Sequence, residues 1–320
     1  MDSAGVRPDL SLEDLILETL RMHVSADARA CEIVSTPVEA GMSGAEILRH
    51  RVTFGLPNGG KRPVSLITKN ATLVERRVLA LLQAQRQPAI PFSYSPNLTD
   101  DRLARVCMED LGSQHRPTSL EPIPPELIRK EAHALARIHH ANSARSDQCT
   151  WLPRVDRHYV CRQLSRNWEP AWHRAVADNA FRREFGSYIT AVEAVAAQVA
   201  DTMERLSENQ RTLSLIHGDI NPSNVLITDG EPRFIDWQAA CYGTFYLDLP
   251  HHFSTPAIVE EYRSARAALG DMISRDDFAA GFRAAAHYIG LRYIWWTLDL
   301  WQADSTQSHW VRYYLALIAY

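Results

Sequence analysis

Three oxygen-bearing side chains in one short stretch have the types and spacing to hold a metal ion and a phosphate. They are Asp219, Asn224 and Asp236, carried by Leu215-Ile216-His217-Gly218-Asp219-Ile220-Asn221-Pro222-Ser223-Asn224-Val225-Leu226 and the following Phe234-Ile235-Asp236-Trp237. Val225 to Thr228 and Arg233 to Asp236 are apolar runs separated by Asp229-Gly230-Glu231-Pro232, whose Asp-Gly pair signals a tight hairpin. Pairing Thr228 with Arg233 sets Val225 beside Asp236, so Asn224 and Asp236 leave the ribbon at the same end. Asp219 lies five residues before Asn224, in a loop that Gly218 and Pro222 keep out of helix and strand. The three side chains are expected to converge. Two of them suit Mg2+, a hard cation that takes few protein oxygens and otherwise prefers water and phosphate. Asp219 is left to act as a base, and the chemistry expected is phosphoryl transfer.

This arrangement is similar to the catalytic-loop and metal-loop pattern of kinases, and it resembles the aminoglycoside phosphotransferase and choline kinase family, which reads His-Gly-Asp where protein kinases read His-Arg-Asp. The resemblance implies that Asp219 is the catalytic base and that Asn224 and Asp236 are the Mg2+ ligands. His217 is the one histidine near these acids and takes a supporting place. After the metal loop the chain reaches Asp248-Leu249 in twelve residues, too few for a long regulatory loop that docks a peptide, which favours a small-molecule acceptor. The family often reads Gly-Asp-Pro before this Asp-Leu, whereas here the sequence is Gly243-Thr244-Phe245. Asp248 keeps its offset and is expected to hold the catalytic loop by accepting hydrogen bonds.

The elements that must position the phosphates lie upstream. Of the 34 basic residues, 31 are Arg and only Lys61, Lys69 and Lys130 are Lys. Lys69 ends Val64-Ser65-Leu66-Ile67-Thr68-Lys69, a strand-like run. It either snorkels to solvent or serves as the lysine that contacts the α- and β-phosphates as a compact charge. The segment Asn70 to Gln85 reads as the next helix, with Val74, Val78, Leu81 and Leu82 at helical spacing. Glu75 falls on its buried side, where a carboxylate wants a cation. Lys69 is one candidate partner; Arg76 and Arg77 are local competitors.

Between the strand-like runs Ile33 to Val38 and Ile47 to Phe54, the segment Gly41-Met42-Ser43-Gly44 reads as a glycine-bearing hairpin. Backbone amides near Ser43 and Gly44 are candidates to meet nucleotide phosphates, although a full GxGxxG is missing and the signal is weak. Arg105 to Gly112 reads as a strand leading into a turn. By the resemblance it is the hinge between lobes, where backbone groups of residues such as Glu109 and Leu111 hydrogen-bond adenine. Helices are expected over Leu12 to His23 and Glu126 to Asn142. Two or three more are expected in Trp151 to Arg211, interrupted near Trp168-Glu169-Pro170 and Phe185-Gly186. Leu135-Ala136-Arg137-Ile138-His139 also resembles a family segment, and His139 and His140 read as structural.

The fold class expected is α+β: a two-lobed, protein-kinase-like fold. An amino-terminal antiparallel sheet with one main helix forms a nucleotide-binding lobe, residues 1–112. A larger, mostly helical catalytic and substrate-binding lobe follows, residues 113–320.

With 320 residues, 46% hydrophobic and 22% charged, the composition is that of an ordinary globular protein. A formal charge of -4 gives no case for nucleic acid. Leu291 to Trp301 is broken by Arg292 and Asp299, so no run reaches membrane-spanning length. The acidic start has no leading basic region and is not a secretory signal. The five cysteines show no paired spacing, so neither a disulfide framework nor a zinc site is expected. These features read as a cytoplasmic protein, monomer or dimer.

The ligands expected are ATP, with GTP possible, Mg2+ and a small molecule bearing a hydroxyl. The segments expected to form the acceptor pocket, Trp151 to Arg211 and His251 to Tyr320, hold fifteen acids and fifteen arginines, a balance that disfavours a strongly cationic acceptor. Tyr288, Tyr293, Trp295, Trp296, Trp301, Trp310, Tyr313 and Tyr314 are either helix core or a stacking surface for a sugar or heterocycle. The reading is phosphorylation of an antibiotic, aminoglycoside-type or a less cationic glycoside or nucleoside. A metabolite kinase for choline, homoserine or a similar alcohol is the alternative. A catalytically inactive binding module would be expected to lack one of Lys69, Asp219, Asn224 or Asp236, and all four are in place.

Overall fold

A computed structural model of the chain describes residues 10–38, 46–56, 59–112, 124–253 and 256–319. The elements are α1 (Leu12–His23), β1 (Arg29–Val38), β2 (Ile47–Gly55), β3 (Lys61–Ala71), α2 (Leu73–Ala84), β4 (Ser93–Tyr94), β5 (Ala104–Glu109) and α3 (Pro125–Ala141). They continue as α4 (Arg157–Gln163), α5 (Glu169–Ala177), α6 (Asn179–Glu208), β6 (Leu213–Ile216), β7 (Val225–Thr228), β8 (Glu231–Phe234), β9 (Cys241–Thr244), α7 (Pro256–Ala268), α8 (Arg275–Ala303) and α9 (Ser308–Ile318). The architecture is α+β and protein-kinase-like, as expected. By contacts the chain forms two compact units, one of residues 1–130 with 222–240 and the other of residues 131–221 with 241–320.

The first unit is built on an antiparallel sheet ordered β1-β2-β3-β5-β4. Alternation along β3 decides what each face does. Leu66 is fully buried in a cluster with Leu15, Ile16 and Leu20 of α1 and with Val52, Phe54 and Cys107 of the sheet. Thr68 follows on that same face, where it bonds His50 at 2.8 Å. Ile67 and Lys69 therefore point to the opposite face. Each large aliphatic or aromatic side chain so buried contributes about 1.5–3 kcal/mol. Ser11 caps α1 by accepting the Asp14 N–H at 3.1 Å. Within the same unit β7 and β8 pair as a separate hairpin.

Two sequence expectations are corrected here. The helix expected from Asn70 begins at Leu73, because β3 runs on to Ala71 and Thr72 caps α2 by accepting the Glu75 N–H at 3.2 Å. The β7–β8 register also differs: Thr228 pairs with Glu231 and Val225 with Phe234. Asp229 and Gly230 both take left-handed conformations, φ 54° and 72°, which suits a two-residue turn that matches strand twist. Pro232 then faces Ile227, one pair beyond the turn-closing pair. In an antiparallel ladder that pair exchanges no hydrogen bonds, so the missing N–H costs nothing there.

The second unit is mostly helical, with β6 and β9 as a short antiparallel pair. A π-helical turn, Leu164–Trp168, joins α4 to α5. The break expected at Phe185-Gly186 is absent: α6 runs through it, and the interruption lies at Asp178, whose carboxylate caps α6. One exposed glycine costs a helix only about 1 kcal/mol. Burying Phe181 and Phe185 against Trp301, at centroid distances of 5.5 and 5.9 Å, outweighs it. Among the described residues no helix is long and apolar enough to cross a membrane.

At Gly290 the helix α8 packs tightly against α9. A Cβ there would lie 2.5 Å from Ile318 Cγ1, 3.1 Å from the Tyr314 carbonyl and 3.2 Å from the Ile318 nitrogen. Gly290→Ala is therefore expected to destabilise the protein by about 1–3 kcal/mol, read as a fall of several degrees in melting temperature. An unchanged melting curve would show that α9 moves aside freely.

Candidate active site

In the first unit the Lys69 ammonium sits between two carboxylates, 2.8 Å from Glu75 Oε1 and 2.9 Å from Asp236 Oδ1. The side chains are 14%, 3% and 30% exposed, respectively. Lys69 is on β3, between β2 and β5, where it pairs with Ile47 and Val106. Glu75 is at the third position of α2. Its Thr72-x-x-Glu75 spacing is that of a capping box, yet its carboxylate reaches Lys69 and accepts the Trp237 N–H. Arg76 and Arg77 do not compete for it. Arg76 donates to the carbonyls of Asn97, Asp100 and Arg102, and Arg77 to that of Leu98.

Charge orders this cluster. Burial alone would lower the Lys69 pKa, but Glu75 and Asp236 outweigh it and hold the ammonium above its ordinary value. Glu75 is pushed up, first by burial, with Lys69 pulling the other way and Asp236 adding to the push. Lys69 is thus charged at any physiological pH. With all three groups ionised the cluster has one more negative charge than positive.

Asp236 stands in the left-handed conformation, φ 65° and ψ 58°, at the start of a 3-10 turn, Trp237–Ala239. Such a backbone costs a residue with a side chain about 1–3 kcal/mol and persists where surrounding contacts fix it. Asn224, largely buried, ends the 3-10 turn Pro222–Asn224, and its carbonyl accepts the Ile235 N–H at 3.0 Å. Asn224 and Asp236 therefore do leave the ribbon at one end, although Asp236 lies two residues beyond β8 and not opposite Val225. An amide oxygen and a partly exposed carboxylate that leave the ribbon at one end fit Mg2+. Among the described residues no group of three or more His, Cys, Asp or Glu is placed to hold a metal.

The residues expected to form a hinge carry internal hydrogen bonds. The Glu109 N–H donates to the Phe92 carbonyl at 2.9 Å, and the Leu111 carbonyl accepts the Thr228 hydroxyl at 3.2 Å. Between them Asp110 accepts from Arg49 at 2.7 Å and from Ser65 at 2.5 Å. Ser43 and Gly44 lie outside the described residues.

In the second unit Asp219 follows Gly218, whose φ of 77° turns the loop. That turn aims two N–H groups at Asp248: His217 donates to Oδ2 at 2.7 Å and Gly218 to Oδ1 at 2.9 Å. His139 Nε2 completes the set at 3.1 Å, with its Nδ1 2.7 Å from the Tyr262 hydroxyl. An acceptor at Asp248 fixes the tautomer: Nε2 donates and Tyr262 donates to Nδ1. Asp219 itself accepts the Tyr293 hydroxyl at 2.8 Å, and the Gly218 carbonyl lies 3.0 Å from the same hydroxyl. By sequence alone His139 reads as structural and Tyr293 is one of many aromatics in the tail. The Leu135-to-His139 segment signalled the first, whereas no local pattern marks the second, since α8 delivers Tyr293 from 74 positions downstream.

A sequence model of the phosphotransferase enzyme family matches residues 63–291, well over half of the chain. The chain belongs to this family. It is accordingly a phosphotransferase with a hydroxyl group as acceptor. No curated protein sequence is significantly similar to it. Among solved structures it resembles a spectinomycin phosphotransferase held with ADP and spectinomycin, at 11% identity and a TM-score of 0.61, over 95% of this chain and 97% of that one. A choline kinase from Cryptosporidium parvum gives 13% identity and a TM-score of 0.61, over 95% and 96%. A macrolide 2'-phosphotransferase from Brachybacterium faecium gives 16% and 0.53, over 95% and 98%. Identities this low establish a shared fold for the phosphotransferase.

The Asp248 network makes stability depend on pH. Burial holds the His139 pKa below its ordinary value, about 6.5, against the pull of Asp248. Unfolding frees the imidazole to take a proton, so the stability it contributes is full above about pH 6.5 and shrinks as pH falls below that. Asp248 adds to the loss at lower pH. Burial alone would raise its pKa, but His139, His217 and the Gly218 N–H hold it below the ordinary carboxylate range. Melting temperature is therefore expected to drop steadily from pH 7 to pH 5. His139→Gln, which keeps a donor but cannot titrate, should melt lower at pH 7 with a shallower slope; an equally steep slope would assign the loss to other groups.

Proposed function

We propose that the enzyme transfers the γ-phosphoryl group of ATP, with GTP as a possible donor, to a hydroxyl of a small molecule. The observation that carries this reading is the Lys69 ammonium held by Glu75 and Asp236 at 2.8 and 2.9 Å. A lysine so fixed is a compact charge for the α- and β-phosphates. Asn224 and Asp236 are the residues that would hold Mg2+, which when bound neutralises phosphate charge. Backbone near Glu109 and Leu111 takes the adenine, and that near Ser43 and Gly44 the phosphates. In this assignment residues 1–112 serve the nucleotide and residues 113–320 serve catalysis and the acceptor.

Asp219 is the base. Its carboxylate orients the acceptor hydroxyl and takes its proton as the oxygen attacks, and the Tyr293 hydroxyl steadies Oδ1 meanwhile. His217, Gly218 and Asp248 keep the loop in the shape that presents Asp219. Most of the rate comes from positioning and charge neutralisation. Antibiotic inactivation in the cytoplasm, conferring resistance, is the first acceptor class to test. It is supported by the likeness to spectinomycin and macrolide phosphotransferases and by the equal numbers of acids and arginines in the acceptor segments, which favour a less cationic antibiotic than an aminoglycoside. The likeness to a choline kinase supports the second reading, a metabolite alcohol.

Two variants separate these roles. Asp219→Ala is expected to lower kcat about 100- to 10,000-fold with nucleotide affinity nearly intact, and an active variant would refute the base assignment. Asp236→Ala should instead weaken Mg-ATP binding in calorimetry; unchanged affinity would remove Asp236 from the metal site. Phosphate adducts detected by mass spectrometry across antibiotics and metabolic alcohols identify the acceptor.

A further inference from the structure

We propose that Arg292 and Tyr288, on one face of α8, form a subsite for an anionic group, a carboxylate or a phosphate, carried by the acceptor alcohol. This rests on the reading of Asp219 as the base for that alcohol. Residues four apart on a helix are surface neighbours, so Tyr288 and Arg292 stand together. Arg292 also covers the ring of Tyr293, its guanidinium carbon 5.1 Å from the centroid. The hydroxyl of that same tyrosine is 2.8 Å from Asp219. One tyrosine side chain therefore separates the cation from the base, a span that a small molecule bridges.

The polar groups of this cluster lack partners. Among the described residues the Arg292 guanidinium makes no ion pair and no hydrogen bond. Other arginines of the unit do: Arg174 pairs with Asp299 at 2.7 Å, Arg312 with Glu184 at 2.7 Å and Arg157 with Asp201 at 2.8 Å. The Tyr288 side chain is fully buried and its hydroxyl bonds nothing. His251 Nδ1 is likewise unpartnered, while its Nε2 lies 3.1 Å from the Tyr314 hydroxyl and its ring 5.1 Å from that of Tyr293.

No local anion answers the guanidinium. Besides burial, the groups that act on it most are Tyr293, Tyr288, Tyr159 and Cys241. Burial pushes the phenols and the Cys241 thiol up, so all are neutral near pH 7. His251 is neutral too: burial, then the charges of His252 and Arg292, bring it to about 4. The Arg292 side chain is half-buried with its guanidinium nitrogens open to water, so it has room to take a counter-ion that the protein itself does not supply. A carboxylate or phosphate matches its planar fork with two parallel hydrogen bonds, and the idle Tyr288 hydroxyl offers a third. The same charge repels a cationic acceptor.

The test uses the full-length enzyme with matched alcohols: glycerate against glyceramide for the carboxylate, glycerol phosphate against glycerol for the phosphate, and choline as the cation. Thermal-shift titrations measure binding without turnover, and phosphorylation is followed in parallel. At least one anionic probe is expected to bind and react about tenfold better than its neutral match, and which pair responds identifies the anion. Arg292→Gln should raise KM for that probe about tenfold, leave KM for the neutral match and kcat nearly unchanged, and abolish the thermal shift. Arg292→Lys should recover part of it, and Tyr288→Phe should raise the same KM several-fold even if the glutamine variant folds poorly. Neutral or cationic alcohols that bind as well as the anions, or a glutamine variant that keeps the anionic preference, would overturn the subsite. Anion-selective binding with no phosphorylation of any probe would instead keep the subsite and count against the transfer reading.

Discussion

The ammonium of Lys69 is the point on which the first unit turns. Taking a lysine out of water costs several kcal/mol unless carboxylates replace the lost hydration, and here two do so, Glu75 from the next helix and Asp236 from a distant part of the sequence. Satisfying one cation therefore fixes three segments at once: the end of β3, the first turn of α2 and the loop after β8. Each segment yields something local to this. Glu75 gives up the backbone cap that its spacing offers, and Asp236 accepts a left-handed backbone. Arg76 and Arg77, which compete on sequence grounds, are drawn off by the carbonyls of residues 97–102.

A buried carboxylate plays the corresponding part in the second unit. Asp248 is fully buried and takes N–H donors from His217, Gly218 and His139. Charge-assisted bonds of this kind are about twice as strong as neutral ones, so the shape of the loop carrying Asp219 is set from below. Gly218 is the one position in that loop where a positive φ is required, since it lets consecutive N–H groups face a single carboxylate. The Thr244 and Phe245 departure from the family pattern leaves this intact. Phe245 packs its ring against His139 and Tyr262 in the layer that buries the network.

Local chemistry made much of this legible in the sequence. The hairpin is marked by Asp229-Gly230, the loop acids by their spacing, and α2 by the helical spacing of Val74, Val78, Leu81 and Leu82. The register of β7 and β8 was missed by two residues, because the turn was drawn over four residues when Asp229 and Gly230 alone suffice. The break assigned to Gly186 failed for a related reason: a glycine's intrinsic cost is small beside the burial of Phe181 and Phe185. What no window of sequence could supply was long-range pairing. Glu75 had three cations within reach by sequence, and only the fold chose among them. His139 and Tyr293 acquire their meaning from partners 109 and 74 positions away.

The same contrast explains why reaction type and acceptor differ in how easily they are read. Phosphoryl transfer needs a few charged groups on short, conformationally restricted loops, and such loops announce themselves through Gly, Pro, Asn and Asp. On the proposed reading, acceptor choice depends instead on which residues of long helices would face Asp219, and helix periodicity alone cannot separate a buried aromatic from a lining one. Along α8, Trp301 packs into the core with Phe181 and Phe185, while Tyr293 reaches Asp219. Both are aromatic, eight residues apart and about 80° apart around the helix. What distinguishes them is the partner each finds: the Tyr293 hydroxyl reaches a loop carboxylate, whereas the Trp301 ring packs among other aromatic rings.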